Sequence, residues 1–234
     1  QFQNFPYFSQ NEWNKNDVVD LGMKDLIGNK EDTCTTIIKA NFSDLTARKY
    51  DNFKLIFTDG SKIENSTTAA FHEHEGCEKK IKLRDNCTVF SAECMGILMA
   101  LEHMQESHAN IKKICIVTDS MSAILAIENA QNSFKNHNLV SEICEKISEM
   151  RQEEVKTKIL WTPSHCSIIG NKRADELAND AHDNPDEIIE LDRHFKEISQ
   201  KYYNSYLLQE WAEEWIDSEK GRFCHSIKQK TKIY

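Results

Sequence analysis

Phe57-Thr58-Asp59-Gly60-Ser61 is the stretch on which the organisation of the whole chain depends. It continues from the apolar residues Leu55 and Ile56, and the run predicts a short buried strand that ends at Asp59. A carboxylate at the end of a buried strand is costly unless it is paired with a cation or bound to a metal ion. The stretch therefore indicates a functional aspartate.

Three more acidic residues lie downstream in similar settings. Glu93 stands at the start of a helical pattern in Ser91-Ala92-Glu93-Cys94, and Asp119 follows an apolar run in Val117-Thr118-Asp119-Ser120. Asp175 lies in Asn171-Lys172-Arg173-Ala174-Asp175, ten residues after His165. Taken alone, each acid has an ordinary structural explanation: Asp119 as a turn former, Glu93 as a partner of the helix dipole and Asp175 as a surface residue. A histidine in a loop is likewise often a solvent-exposed polar residue without a function. Together they predict a site for hard metal ions, which prefer oxygen ligands.

The order of the hydrophobic patterns predicts an α/β protein. Alternating segments that follow the first strand predict an antiparallel start to the sheet. From Ser91, which we interpret as a helix N-cap, the pattern alternates between helices and strands, which indicates parallel strands joined by crossovers. We therefore predict a mixed sheet with helices on both faces and with Asp59 and Asp119 at strand carboxyl ends, where such sheets bind ligands. The five predicted strands are 54–59, 67–72, 79–83, 111–118 and 156–161.

The composition is that of an ordinary globular chain. With 234 residues, of which 39% are apolar, it can bury the core of one domain with extensions or of two small domains. The formal net charge of −9 predicts weak, salt-sensitive binding to nucleic acid, because phosphate contacts need Lys and Arg. Eight cysteines without a CxxC pair indicate a reduced intracellular protein of the cytoplasm or nucleus. We expect neither a signal peptide nor a membrane span, since no apolar run is long enough.

The two ends of the chain differ from its middle. Residues 1–50 are polar with scattered aromatic side chains, and only 43–47 predicts a short helical turn, so we expect an arm or the tail of an upstream module. Gln1 stands where an initiator Met would be, which indicates a domain cut from a longer chain. Residues 184–234 predict a helical extension with a docking face at Trp211 and Trp215 and a basic tail at 228–232. The remaining domain is 51–183.

Four motifs in this order resemble the type 1 ribonuclease H domain. They are Thr58-Asp59-Gly60-Ser61, Ala92-Glu93, Thr118-Asp119-Ser120, and the segment from Trp161-Thr162-Pro163-Ser164-His165 through Gly170-Asn171 to Ala174-Asp175-Glu176-Leu177-Ala178. The last motif is most similar to the domain of non-LTR (LINE-like) retrotransposon polyproteins. The resemblance covers about residues 53–183. It implies a ribonuclease H-like fold and endonucleolytic hydrolysis of the RNA strand of RNA–DNA hybrids, with 3′-hydroxyl and 5′-phosphate products.

The resemblance also implies a role for each site residue. Two Mg²⁺ ions, for which Mn²⁺ can substitute, would be held by Asp59, Glu93, Asp119 and Asp175. Asp59 would bridge the two ions, Glu93 and Asp119 would hold the ion on the leaving-group side, and Asp175 would hold the ion that activates water. Two such ions, about 3.5–4 Å apart, stabilise both the attacking and the leaving oxygen of an in-line displacement. His165 would act as a proton shuttle that aids product release.

The partner that the resemblance implies is an RNA–DNA hybrid, within a protein fused to or cut from a reverse transcriptase polyprotein. There it would remove template RNA after reverse transcription. Groups near Gly60, Ser61 and Asn65 would contact the 2′-hydroxyls that distinguish RNA from DNA. The segment between Asp119 and His165 is too short for the basic protrusion that grips hybrids in bacterial enzymes. This departure lowers the expected affinity more than it affects the chemistry.

Three alternatives compete with this interpretation. A non-catalytic module that binds hybrids or scaffolds a larger protein fits the acidic charge, whereas the intact carboxylates argue against it. An integrase-like or resolvase-like nuclease of the same superfold fits less well, because His165 and Asp175 occur together with the GNxxAD pattern. A zinc site at His72, His74 and Cys77 is disfavoured, because no second pair of ligands follows at a normal spacing.

Overall fold

The computed structural model describes residues 18–27, 33–83, 87–107, 111–130 and 138–189. The chain divides into two units, 1–193 and 194–234, and the second lies outside the described residues. Three predicted features also lie outside them, namely the aromatic part of the N-terminal arm, the docking face at Trp211 and Trp215, and the basic tail at 228–232.

A seven-stranded mixed sheet lies at the centre of the first unit. Its strands are β1 (Val19–Asp20), β2 (Lys54–Ile63), β3 (Ser66–Glu73), β4 (Glu78–Leu83), β5 (Lys113–Thr118), β6 (Lys156–Trp161) and β7 (Glu187–Ile189). They lie in the order β1-β6-β5-β2-β3-β4-β7. The pairs β1–β6, β6–β5, β5–β2 and β4–β7 are parallel, whereas β2–β3 and β3–β4 are antiparallel. The α/β prediction is confirmed, and the sheet gains the short edge strands β1 and β7 beyond the five that were predicted.

Helices cover both faces of this sheet. They are α1 (Gly22–Ile27), α2 (Thr35–Lys49), α3 (Val89–Ser107), α4 (Met121–Glu128), α5 (Asn138–Gln152) and α6 (Ile169–Asp180). Successive strand residues point to opposite faces, so Ile114 and Ile116 pack in the core with α3, α4 and α5, whereas Cys115 and Val117 pack with α1 and α2. Among the described residues, no helix has the length and apolar character needed to cross a membrane.

The segment before the first long strand is more regular than its sequence indicates. The prediction of only a short turn at 43–47 is wrong, because these residues lie inside the 15-residue helix α2. Ile38, Phe42 and Leu45 are buried on one side of this helix, at helical spacing. Polar residues surround them and Cys34 makes no side-chain capping hydrogen bond, so the local pattern is weak and packing on the sheet determines the helix.

The Asp20 side chain connects the two helices of this N-terminal segment. Its carboxylate accepts hydrogen bonds from the Gly22 amide at 2.7 Å, the Tyr50 hydroxyl at 2.5 Å and the Lys49 ammonium at 3.1 Å. Burial alone would raise the pKa of Asp20, but these hydrogen bonds hold it below its usual value. The start of α1 and the end of α2 are therefore joined at a single carboxylate.

Candidate metal centre and active site

The sheet brings the first and third of the predicted acids to the same place. β2 and β5 run parallel with Thr58 opposite Thr118, and an aspartate follows each of these threonines. Asp59 does not end its strand as predicted, since β2 continues to Ile63 in its pairing with β3. Asp59 is 8% exposed, and Asp119 lies just beyond the end of β5. Both carboxylates therefore lie at the edge of the sheet where parallel strands end.

Helix α3 supplies the second acid. It begins at Val89, so the prediction that Ser91 is its N-cap is wrong. Thr88 serves in its place, because its hydroxyl oxygen accepts the Ser91 amide hydrogen at 3.1 Å. Glu93 thus lies in the second turn of α3. An oxygen of this side chain and oxygens of Asp59 and Asp119 all lie within 4.8 Å of one another.

Gly60 allows this close approach between α3 and β2. A Cβ atom at this position would lie 2.6 Å from the Glu93 nitrogen and 2.8 Å from the Ala92 side chain. Real Cβ contacts are never this short, so any side chain at this position would push the helix off the strand. The glycine that follows Asp59 is therefore a requirement for bringing Glu93 to it.

Asp175 and His165 line the same cleft, which has a volume of about 440 Å³. Asp175 lies on α6 and contributes to the electrostatic repulsion at both Asp59 and Asp119, although it is outside the three-carboxylate cluster. Among the predicted substrate-binding residues, Gly60 and Ser61 line the cleft. Asn65 is exposed in the turn between β2 and β3 and is not part of the cleft lining.

The cluster is electrostatically unfavourable without a cation. Burial, with repulsion from Asp119 and Asp175, raises the pKa of Asp59 to about 8. Burial and repulsion from Asp59 and Asp119 raise the pKa of Glu93 well above its usual value. Burial also raises the pKa of Asp119, although the Asn171 hydrogen bond and His165 oppose this rise. A bound cation would relieve all of these penalties at once.

The donor set fits a hard divalent cation. Carboxylate oxygens are the ligands that Mg²⁺ and Mn²⁺ prefer. The Oε2 atom of Glu93 is buried and has no hydrogen-bond partner within the described part of the chain, and such an atom is costly unless something binds it. The residues present could therefore hold a metal ion, and sequence reasoning identified each of them.

Two further residues hold Asp119, and sequence reasoning assigned them no role. The side-chain amide of Asn171 donates to Asp119 Oδ2 at 3.2 Å, and the Trp161 indole N–H donates to the Asp119 carbonyl oxygen at 3.2 Å. Asn171 is 6% exposed, which is unusual for an uncharged amide unless it makes such a contact. Both residues lie in the motif between Trp161 and Ala178. The available signal was a polar residue in the first turn of α6, four residues before the predicted ligand Asp175.

The loop before α6 holds His165 in an uncommon backbone conformation. His165 and Ser167 both have φ of 56°, in the left-handed region that non-glycine residues rarely adopt. His165 is exposed and lines the cleft, whereas Cys166 beside it is buried. Such strain persists only where the surrounding structure imposes it, and it concentrates at functional sites.

Comparison with known protein families agrees with this geometry. The family model described as RNase H matches residues 51–183, which is more than half of the chain and includes every residue of the cleft. No curated protein matches the chain.

Proposed function

Because the chain belongs to the RNase H family, we propose that it is a metal-dependent endonuclease that hydrolyses the RNA strand of RNA–DNA hybrids. The observation that carries the proposal is the meeting of Asp59, Glu93 and Asp119 within 4.8 Å inside the matched region. Buried acids that repel one another reduce stability, and proteins retain such conflicts at functional sites. We assign the activity to a domain at 51–183, with 1–50 and 184–234 as its extensions.

Four carboxylates would hold two divalent cations, for which Mg²⁺ is the proposed species and Mn²⁺ a substitute. Asp59 would contact both ions, Glu93 and Asp119 would hold one of them, and Asp175 would hold the other. Bound divalent cations supply an activated water and stabilise the charge on the leaving oxygen. The protein contributes their positions, since Asn171 orients Asp119 and the close contact at Gly60 orients Glu93.

His165 is the proposed proton carrier. An imidazole has two ring nitrogens, so it can accept a proton from water and donate one to a departing oxygen. Its exposed position on a loop at the cleft allows it to contact both the substrate and the solvent. We assign it to product release, with the 5′-phosphate and 3′-hydroxyl as the two new ends.

The proposed substrate contacts involve backbone and sugar more than bases. Gly60 and Ser61 line the cleft, so their backbone groups would contact 2′-hydroxyls of the RNA strand. Asn65, in the exposed turn beyond the cleft, would contact the strand further along. Cleavage would then depend little on base sequence. The net charge of −9 predicts that binding is weak and sensitive to salt.

The biological setting that we propose is a retrotransposon-derived protein in which this domain is joined to, or released from, a reverse transcriptase polyprotein. In this setting the enzyme works inside the cell and removes template RNA after reverse transcription. Support comes from the amino-acid sequence of the motif between Trp161 and Ala178, which resembles that of the domain in non-LTR retrotransposon polyproteins.

A cleavage assay with matched duplexes tests the proposed activity. The substrate is an end-labelled RNA–DNA hybrid, and the controls are double-stranded RNA and double-stranded DNA of the same sequence. Each duplex is incubated with the protein at low salt, either with Mg²⁺ or with EDTA. We expect Mg²⁺-dependent cutting of the RNA strand of the hybrid alone, with 5′-phosphate ends. A folded protein that binds the hybrid but cuts nothing would contradict the proposal and favour the non-catalytic module, for which the acidic charge also speaks.

A further inference from the structure

A continuous chain of hydrogen bonds runs from the cleft to the β2–β3 hairpin. The side-chain amide of Asn179 donates to Asp175 Oδ1 at 2.9 Å. The Ser61 hydroxyl donates to Asn179 Oδ1 at 2.9 Å, and Ser61 Oγ lies 3.0 Å from His182 Nε2. His182 Nδ1 lies 2.8 Å from the Ser66 hydroxyl. Asp175 is thus tied through three side chains to the start of β3.

The direction of these hydrogen bonds follows from the protons available. Ser61 gives its one hydroxyl proton to Asn179, so its oxygen accepts from His182. Thr68, whose hydroxyl lies 3.4 Å from His182 Nε2, gives its proton to the Ala178 carbonyl at 2.6 Å. Both neighbours of Nε2 are therefore acceptors, which assigns the ring proton to Nε2 and leaves Nδ1 to accept from Ser66.

This assignment makes every bond in the chain donate toward Asp175. Burial and the charge of Lys82 lower the pKa of His182, so the neutral ring has one N–H and one acceptor nitrogen. Hydrogen bonds that point the same way strengthen one another. Asn179 is also fixed by its two contacts, because its amide group must face the Asp175 carboxylate and its oxygen must face Ser61.

We propose that Asn179, Ser61 and His182 are positioning residues that orient Asp175 and thereby set the affinity of the cleft for a divalent cation. The proposal deepens the proposed function and rests on it. Asp175 needs this support because it lies on the outer part of α6 and is only half-buried, whereas Asp59 is held within a strand. A carboxylate has two oxygens, so the contact from Asn179 leaves one able to bind an ion.

The chain contains a matched contact that has no link to the cleft. Asn184 donates to Asp180 at 3.0 Å with the same four-residue spacing as Asn179 and Asp175, and Asn179, Asp180 and Asn184 are all exposed. Asp180 forms an ion pair with Lys80 and is not part of the cleft lining. Asn184→Ala therefore removes an equivalent local hydrogen bond and serves as the control for Asn179→Ala.

The first test measures metal binding without nucleic acid. The melting temperature of each protein is recorded over a titration of Mg²⁺ and of Mn²⁺. Orienting partners of metal ligands are worth about 10–100-fold in affinity. We expect Asn179→Ala to need about 10-fold more cation for the half-maximal rise in melting temperature, and Asn184→Ala to match the wild type. An unchanged titration of Asn179→Ala would overturn the proposal, whether or not the wild type cleaves hybrids.

The second test separates positioning from direct contact with substrate. The Mg²⁺ concentration for half-maximal cleavage of a hybrid is measured for Ser61→Ala, Asn179→Ala and the double variant. Because Ser61 acts through Asn179, the double variant should behave like Asn179→Ala alone, and the losses should not multiply. His182→Phe should produce a smaller shift in the same direction. If the increases in the required Mg²⁺ concentration multiply in the double variant, Ser61 acts independently of Asn179. That result would overturn the proposed series of hydrogen bonds.

Discussion

At the scale of single residues, the cleft is a set of acids held together against their own repulsion. Asp59 is nearly buried, and burial together with Asp119 and Asp175 raises its pKa to about 8. An unfolded chain lacks this environment, so the same carboxyl there ionises near its usual value. Ionised Asp59 therefore destabilises the folded protein, and a bound cation would offset this cost.

Replacing Asp59 by Asn should stabilise the metal-free protein at alkaline pH. Because the folded-state pKa is raised, ionisation of Asp59 costs stability increasingly as pH rises from about 4 to about 8. The variant has no such cost, so we expect its melting temperature in EDTA to exceed that of the wild type by about 4 °C at pH 8.5 and by much less at pH 5. Thermal unfolding at the two pH values measures this. A variant that is less stable than the wild type at pH 8.5 would contradict it.

At the scale of elements, the site depends on how closely α3 lies against β2. The contact is made at Gly60, where a Cβ would meet the backbone of Ala92 and Glu93. A second glycine, Gly96, faces β2 one turn further along α3, and a Cβ there would lie 3.2 Å from the Ala70 carbonyl oxygen and 3.4 Å from that of Asp59. There is no room for a Cβ atom at Gly60, whereas a Cβ atom at Gly96 would require only a small shift of its neighbours.

Gly60→Ala should separate Glu93 from Asp59, whereas Gly96→Ala should be close to neutral. Overpacking of this kind costs about 1–3 kcal/mol of stability. Alanine within a helix gains about 1 kcal/mol over glycine, which offsets the mild contact at Gly96. Urea unfolding gives the stability of each variant, and the Mg²⁺-induced rise in melting temperature shows whether the site survives. Equal losses in the two variants would contradict the account.

The elements also show what the sequence could predict. The bounds of β6 agree with the prediction. Asp59, Glu93 and Asp119 were singled out because acidic residues recur, in one order along the chain, beside predicted strands and helices, although each one alone is a weak signal. Helix α2 was missed because its buried residues are separated by polar ones, and tertiary packing supplies the rest of its stability. The hydrogen bonds of His182 could not be predicted, since they join residues more than a hundred positions apart.

At the scale of the whole molecule, residues before the matched region form part of the fold. Met23, Ile38 and Phe42 are buried against Phe57 and Leu160, in a cluster that lies on the face of the sheet opposite α3 and α5. The family match begins only at residue 51. Residues 18–27 and 33–50 therefore complete a core that the matched region alone leaves open on one face.

A chain that begins at residue 51 should be much less stable than one that begins at residue 18. The truncation exposes Phe57, Val117 and Leu160, and burial of each such side chain is worth about 1.5–3 kcal/mol. We expect the free energy of unfolding to fall by at least about 4 kcal/mol, as measured by urea denaturation. Equal stability of the two chains would show that the N-terminal helices are dispensable.

The central claim is that these carboxylates perform metal-dependent cleavage of RNA in hybrids. The most direct measurement is the rate of hybrid cleavage in Mg²⁺ by the wild type and by Asp119→Asn, with circular dichroism as the check on folding. We predict that the variant keeps the fold and that its cleavage rate falls at least about 100-fold. The neutral Asn side chain cannot supply the negative charge with which a carboxylate ligand binds a divalent cation. A folded Asp119→Asn variant that cleaves the hybrid as fast as the wild type would contradict the account.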